Sequence, residues 1–450
     1  MSAWLEIARR KRLAALGAGV GLLLGAWVLW SLFIPHRDLI AEAIRKQGYP
    51  ASLAELDAWY PSVPAAENVA LVYTNAFGLL TNLAGTNARF MSWLPPIGQS
   101  VSPEDGRDLK AMLVENEPAL RLLYAVPATG RSRYPIHLAD GPSTELSHLM
   151  KLKQAVSLLS AEALLRASDG DAEGATQAFL AAGRLAESLS EEPILLSQFV
   201  RYADWAILLP RLERALSLTP FTEAQLASLQ KTVEGAEQPQ AAVRAMAGKR
   251  AMNLSVFSSR EIMEVVFKAG QGSGSRSDKL LTAASVSLYR VTGLLGKDKA
   301  FYFDRIGRHV AALELPYPDR FAAEAQLATL TNMPGRLYIF SRMLLPSLGK
   351  APAGDADHVA LVRVAATALA IERFRVAHSN ALPENLEQLM PACCMAVPAD
   401  PYDGKPLRYK PHGASYAVYS VGSDGHDDGG VVWGSNYLKV PQDVAFVVKH

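Results

Sequence analysis

The sequence predicts a mainly α-helical protein in three parts: an N-terminal transmembrane helix, a large α-helical extracytoplasmic domain and a small C-terminal α+β module with an antiparallel β-sheet. Three observations predict it. Residues 13–34 are one uncharged apolar run behind a basic cluster. Residues 36–356 repeat apolar side chains at three- and four-residue steps, as a buried helix face demands. From residue 357 the chain turns to short alternating stretches separated by turn residues. Half of the 450 residues are apolar and 20% are charged, which fits a folded protein of two or three domains. Forty-five basic residues stand against forty-four acidic ones, so nothing marks nucleic acid as a partner.

The first element is the expected anchor. Residues 1–12 form a cytoplasmic basic segment that ends in Arg9, Arg10, Lys11 and Arg12. The run Leu13 to Ile34 that follows is long enough to span a bilayer, since about 20 residues at a rise of about 1.5 Å cover the hydrocarbon core. A cleaved signal peptide has a shorter apolar region and a small-residue cleavage site. Here Trp27, Trp30 and Phe33 run directly into Pro35, which reads as an uncleaved single-pass anchor. The basic cluster stays inside by the positive-inside bias, and Trp27 and Trp30 sit towards the outer interface. The expected address is a bacterial inner membrane, with everything after His36 in the periplasm. Gly17, Gly21 and Gly25 make two GxxxG steps on one helix face, which allows a transmembrane homodimer. Glycine is also simply common in such helices.

The helical region follows. Val156 to Leu189 carries two helical stripes interrupted by Ser168-Asp169-Gly170-Asp171, which has helix-stop and N-cap chemistry. This hairpin resembles one tetratricopeptide-type unit, although a repeat array needs about three. Further helices are predicted over 194–216, 223–233, 240–267 and 299–313. Residues 269–278 read as a flexible linker by composition. The segment at Gly48 to Pro64 echoes that at Ala381 to Pro398 in a Pro-x-x-Leu-x-x-Leu pattern, in which proline is expected to open a short helix.

The C-terminal module spans 357–450. Leu361, Val364, Ala368 and Ile371 make the stripe of an amphipathic helix. Pro383 is expected to start a short helix. Leu407 to Lys410 and Ser415 to Val421 alternate, and Pro411-His412-Gly413-Ala414 supplies a four-residue connection, so a hairpin is expected. Val444 to Val448 is the third strand. Cys393 and Cys394 are adjacent, which rules out a disulfide framework and CxxC chemistry. They read as two small half-buried side chains, with a strained vicinal disulfide as the alternative.

Residues 359–448 resemble the periplasmic domain of the major pseudopilin of type II secretion. Asp400, Pro401, Tyr402, Pro406 and Tyr409 match that family's Asp-Pro-Trp-Gly-x-Pro-Tyr signature. Tyr419, Ser420, Gly422, Asp424 and Gly425 match its Tyr-Ser-x-Gly-x-Asp-Gly signature. The likeness covers about a fifth of the chain. It lacks the family's leader and its Phe-Thr-x-x-Glu start, so it implies a membrane protein carrying a pseudopilin-like head rather than a filament subunit. The resemblance also implies calcium in the loop after Tyr-Ser-x-Gly-x-Asp-Gly, with Asp443 closing the cage from the far side.

The acidic loop supports that ion on its own chemistry. Calcium takes about six to eight oxygens at roughly 2.3–2.6 Å in a pliable shell. Asp424, Asp427 and Asp428 offer carboxylates, and Gly422, Gly425, Gly429 and Gly430 let the backbone turn its carbonyls inward. An EF-hand is excluded, because Ser435 stands where the closing glutamate belongs. A solvated acidic turn and a catalytic or transition-metal site are the alternatives. His426 alone is too little for zinc and reads as a surface side chain. His137, Asp140, Glu145 and His148 lie close in sequence and could ligate a metal, with His148 facing solvent or packing beside Leu149 as the bland reading. No catalytic signature is present. The expected function is therefore a membrane-anchored extracytoplasmic binding or assembly protein with a structural calcium ion, alongside type II secretion or pilus-like machinery and envelope protein partners. A periplasmic hydrolase with its site in the helical domain, and a helical-repeat-like interaction scaffold, are the rival readings.

Overall fold

The computed structural model describes residues 38–81, 83, 89–90, 93–258, 286–329, 335, 337–348, 350–430 and 443–450. The expected anchor 13–34 with Gly17, Gly21 and Gly25, and the linker 269–278, lie outside them. Among the described residues no helix is long and apolar enough to cross a membrane.

The described chain is mainly helical, with one small sheet at its C-terminal end. Short helices come first: α1 (Leu39–Lys46), α2 (Leu53–Trp59), α3 (Val69–Gly78), α4 (Pro103–Glu115) and α5 (Glu117–Tyr124). The long helices α6 (Ser147–Ser168), α7 (Ala172–Glu187), α8 (Leu195–Leu216), α9 (Glu223–Glu234) and α10 (Pro239–Ser258) follow. Then come α11 (Leu294–Leu313), α12 (Asp319–Thr329), α13 (Ile339–Leu344) and α14 (Lys350–Ala377). The break between α6 and α7 falls where expected. Gly170 takes φ +83° and the Asp171 carboxylate caps α7 by accepting the Gly174 N–H at 2.8 Å. Thr222 and Gln225 form a capping box that starts α9.

The echo between the two Pro-x-x-Leu-x-x-Leu segments is a shared cap, but not through proline. Ser52 and Asn385 are the N-caps, and each accepts the backbone N–H three residues on. The Glu55 and Gln388 side chains reach back to the N–H groups of Ala51 and Glu384, at 2.8 and 2.9 Å. The prolines lie two residues before the caps and outside the helices, because the cap residue and not proline can satisfy an orphan donor.

The sheet has the order β1-β2-β3, all antiparallel: β1 (Arg408–His412), β2 (Ser415–Ser420) and β3 (Val444–Val448). The hairpin connection is two residues, not four. Pro411 pairs with Tyr416 and His412 with Ser415, leaving Gly413 (φ +61°) and Ala414 as the turn. Proline is tolerated there because β1 is an edge strand and needs no donor on its open side.

Helix α14 differs from the expected one-sided stripe. It begins at Lys350, and its middle is buried all round: Val364, Ala365, Ala368, Leu369 and Ile371 have no solvent exposure. It packs on α8 and α9 as well as on β2 and β3, so both faces need apolar side chains. One continuous core therefore runs from Val69 of α3 through α6 to α9 and on to Val418 and Val448 of the sheet. A second core joins α1, α10 and α11 around Ile44, Met246, Tyr302 and Phe340.

Candidate functional site

The C-terminal module is organised around Asp400. Its buried carboxylate accepts from the Tyr402 and Val421 N–H groups at 3.0 and 2.9 Å, from the Ser420 hydroxyl at 2.8 Å and from Arg408 Nη1 at 2.6 Å. One side chain thus ties the turn at 400–405 to the end of β2, where the acidic loop begins. The resemblance singled out this aspartate as part of a signature. Its knot-like role is set by burial, which spacing does not reveal.

From β2 the chain enters the acidic loop. Asp424, Asp427 and Asp428 are exposed, as is His426. Asp424 Oδ1 accepts the His426 N–H and Asp427 Oδ1 accepts the Gly429 N–H, each at 3.0 Å. These are short Asx turns that order the loop locally. Gly430 sits at φ +70°, and a Cβ there would lie 2.6 Å from the Tyr419 ring, so only glycine lets the loop pass over β2. Asp443, just before β3, is buried. Its Oδ2 accepts the Gly430 N–H at 2.7 Å, while its Oδ1 has no hydrogen-bond partner among the described residues. Burial raises the Asp443 carboxyl above its ordinary range; the Gly430 and Asp428 N–H groups oppose the rise, and the charges of Asp428 and Asp427 add to it.

The loop and the far strand therefore do meet, through Asp443, Asp427 and Asp428. Among the described residues no three His, Cys, Asp or Glu side chains converge as a preformed metal cage. The donor set nevertheless fits a hard cation: it is all oxygen, it holds an unpartnered buried carboxylate oxygen, and it lies in a glycine-rich loop that can close.

The other candidates resolve differently. His137, Asp140 and Glu145 are exposed, whereas His148 is tucked under Tyr134 (ring centroids 4.5 Å) and pairs with buried Glu192 at 3.2 Å. Ser197 donates to the same Glu192. The order Ser–Glu–His puts the carboxylate in the middle, so no imidazole is placed to take the serine proton. Cys393 and Cys394 are free thiols, one buried and one partly so, and burial pushes both up.

Comparison of the chain with family models, with curated proteins and with solved structures finds no match to any of them.

Both cysteines line a groove of about 850 Å³ between α9, α14 and residues 391–399. Its floor is small side chains, among them Ala227, Ala366 and Ala370, and its rim carries the Arg363–Glu237 and Arg373–Glu223 pairs. A second groove, of about 890 Å³, lies between α7, α9 and residues 126–132.

Proposed function

We propose that the chain is a membrane-anchored extracytoplasmic binding or assembly protein of the bacterial envelope. Residues 13–34 hold it in the inner membrane, and its helical body and pseudopilin-like C-terminal module work in the periplasm alongside type II secretion or pilus-like machinery. A structural calcium ion is held by Asp424, Asp427, Asp428 and Asp443. The observation that carries the calcium reading is the buried Asp443 carboxylate, with one oxygen anchored to Gly430 and the other unpartnered beside Asp427 and Asp428. A buried carboxylate among like charges is costly, and a divalent cation removes that cost. An all-oxygen, glycine-rich loop favours calcium over zinc, which wants nitrogen or sulfur, and over magnesium, which demands stricter geometry. The ion would join the two ends of the segment that links β2 to β3.

Thermal melting tests this. Calcium bound only by the folded state raises the melting temperature with concentration. The shift is expected with calcium, absent with chelator and absent in Asp443→Asn. Identical melting of the unaltered chain in calcium and chelator would remove the ion from the account.

A further inference from the structure

The first described residue, Asp38, follows closely on Ile34, where the apolar run ends. The chain between them reaches about 14 Å at most when extended. On the proposed topology Asp38 therefore stands near the bilayer surface. It caps α1 by accepting the Ala41 N–H at 3.3 Å, and it pairs with Lys299 near the start of α11. Further on, Tyr49 donates to Glu314, just past the other end of that helix. The chain from Asp38 to Tyr49 thus follows α11 from start to end, which places the N-terminal end of α11 towards the membrane. Asp298 gathers two more segments at that same end. Its buried carboxylate accepts from the Tyr289 hydroxyl and from the Phe340 and Ser341 N–H groups, at 2.8, 2.8 and 3.0 Å. The Tyr289 hydroxyl also sits 2.6 Å from the Leu337 carbonyl oxygen.

Large apolar side chains stand in water on these segments. Leu39 is 71% exposed, Leu288 65% and Leu337 62%, and Met343 of α13 is exposed as well. The second core does not need them, because Val286, Tyr289 and Phe340 of the same segments already fill it. Single exposed apolar residues are ordinary, but a group of them on segments tied to one point marks a contact surface. The charge there is one-sided. Across residues 286–300 and 337–348 the cations are Arg290, Lys297, Lys299 and Arg342, and the only acid, Asp298, is buried. Lys297 and Arg342 are exposed, and the nearby Asp38 is neutralised by Lys299. The chain as a whole is balanced, so this surplus is local. Exposed apolar side chains among cations match an anionic bilayer surface. Apolar groups enter the boundary between headgroups and acyl chains, and lysine and arginine meet lipid phosphates.

We propose that this face rests on the membrane that holds the anchor, with Leu39, Leu288 and Leu337 in the headgroup layer and Lys297 and Arg342 on anionic lipid phosphates. The body then stands on the bilayer by the N-terminal end of α11 instead of swinging on a single tether. This inference rests on the reading of residues 13–34 as the anchor and is independent of the calcium loop.

The test uses the full chain in vesicles of phosphatidylethanolamine and phosphatidylglycerol. A trace phospholipid carries a photoreactive diazirine on its acyl chain near the headgroup, and labelled peptides are mapped by mass spectrometry. The expected result is label in residues 13–34, in 286–297 and in 337–343. Val114 and Met395 are exposed apolar side chains on segments built on the first core, and they should stay unlabelled. Label in both face peptides should fall at least threefold when phosphatidylcholine replaces phosphatidylglycerol. Label in 337–343 should fall as much in Leu288→Glu, which changes a side chain already in water and should melt like the unaltered chain. Label in 13–34 without label in the face overturns this inference and leaves the anchor standing; no label in 13–34 overturns both. The inference also fails if Val114 and Met395 are labelled as strongly as the face, or if neutral vesicles give the same label. An amine cross-link between Lys297 of two chains, with the face unlabelled, would show that a second copy covers it and would equally overturn the proposal.

Discussion

Glu213 shows how one carboxyl can set the pH response of the whole interface between helices and sheet. It is buried on α8, and its Oε1 accepts the Val447 N–H of β3 at 2.6 Å. Burial raises it to about 7, against the opposing pull of Arg214 and of that N–H. A carboxyl raised in the fold is stabilised when protonated. Its contribution is therefore full below the unfolded value near 4.5 and is lost as pH rises through about 7. The loss amounts to about 3 kcal/mol across that window, from about 1.4 kcal/mol per pKa unit. Glu213→Gln keeps an acceptor for Val447 and removes the titration. Melting between pH 5 and 8 should fall for the unaltered chain and flatten for the variant; parallel curves would contradict this. Asp400 makes the opposite kind of prediction. Three of its four bonds are buried and the fourth, to Arg408, is half-buried, so Asp400→Ala should cost about 3 kcal/mol in denaturant unfolding, the low end of the range for breaking a buried pair. A loss below 1 kcal/mol would show that Asp400 is not the tie we describe.

At the scale of elements, close approach explains what substitution can do. Gly248 lets α10 lie against the Pro193 carbonyl, and a Cβ there would sit 1.9 Å from that oxygen. Gly248→Ala must push backbone apart and should cost about 1–3 kcal/mol by thermal unfolding, despite alanine's better helix propensity. A stabilised variant would mean that α10 does not touch that loop. The strands differ too: β1 is exposed along its outer half, while β2 is covered by α14 and flanked on both sides. Hydrogen exchange should therefore release β1 amides before those of β2. Much at this scale was legible in sequence. The turn at 168–171 and the limits of α8 and α9 follow from caps and period, which are local. Three things were not local. The cap at Asn385 needed a reciprocal side chain, the two-residue hairpin turn needed to know that β1 is an edge, and α14 needed the elements that surround it. The site divides the same way. The acidic loop is visible as composition and Asp443 through the resemblance, but the burial of that carboxylate appears only once β3 is paired with β2.

For the whole molecule, one core joins the helices to the sheet, so the C-terminal module is braced by α8 and α9 rather than hung from them. Whatever stiffens the end of the sheet should then be felt along α14. The tether is tested by extraction: on the proposed topology the full chain stays in the membrane pellet at alkaline pH, and a chain starting at residue 38 does not. Recovery of the full chain in the soluble fraction would contradict the anchor. The central claim, that the end of the sheet is completed by a divalent guest, is met most directly by equilibrium dialysis of the purified chain against labelled calcium. The account predicts one ion per chain, displaced weakly by magnesium and lost in Asp443→Asn. No bound calcium at millimolar free ion, or undiminished binding in that variant, would contradict it.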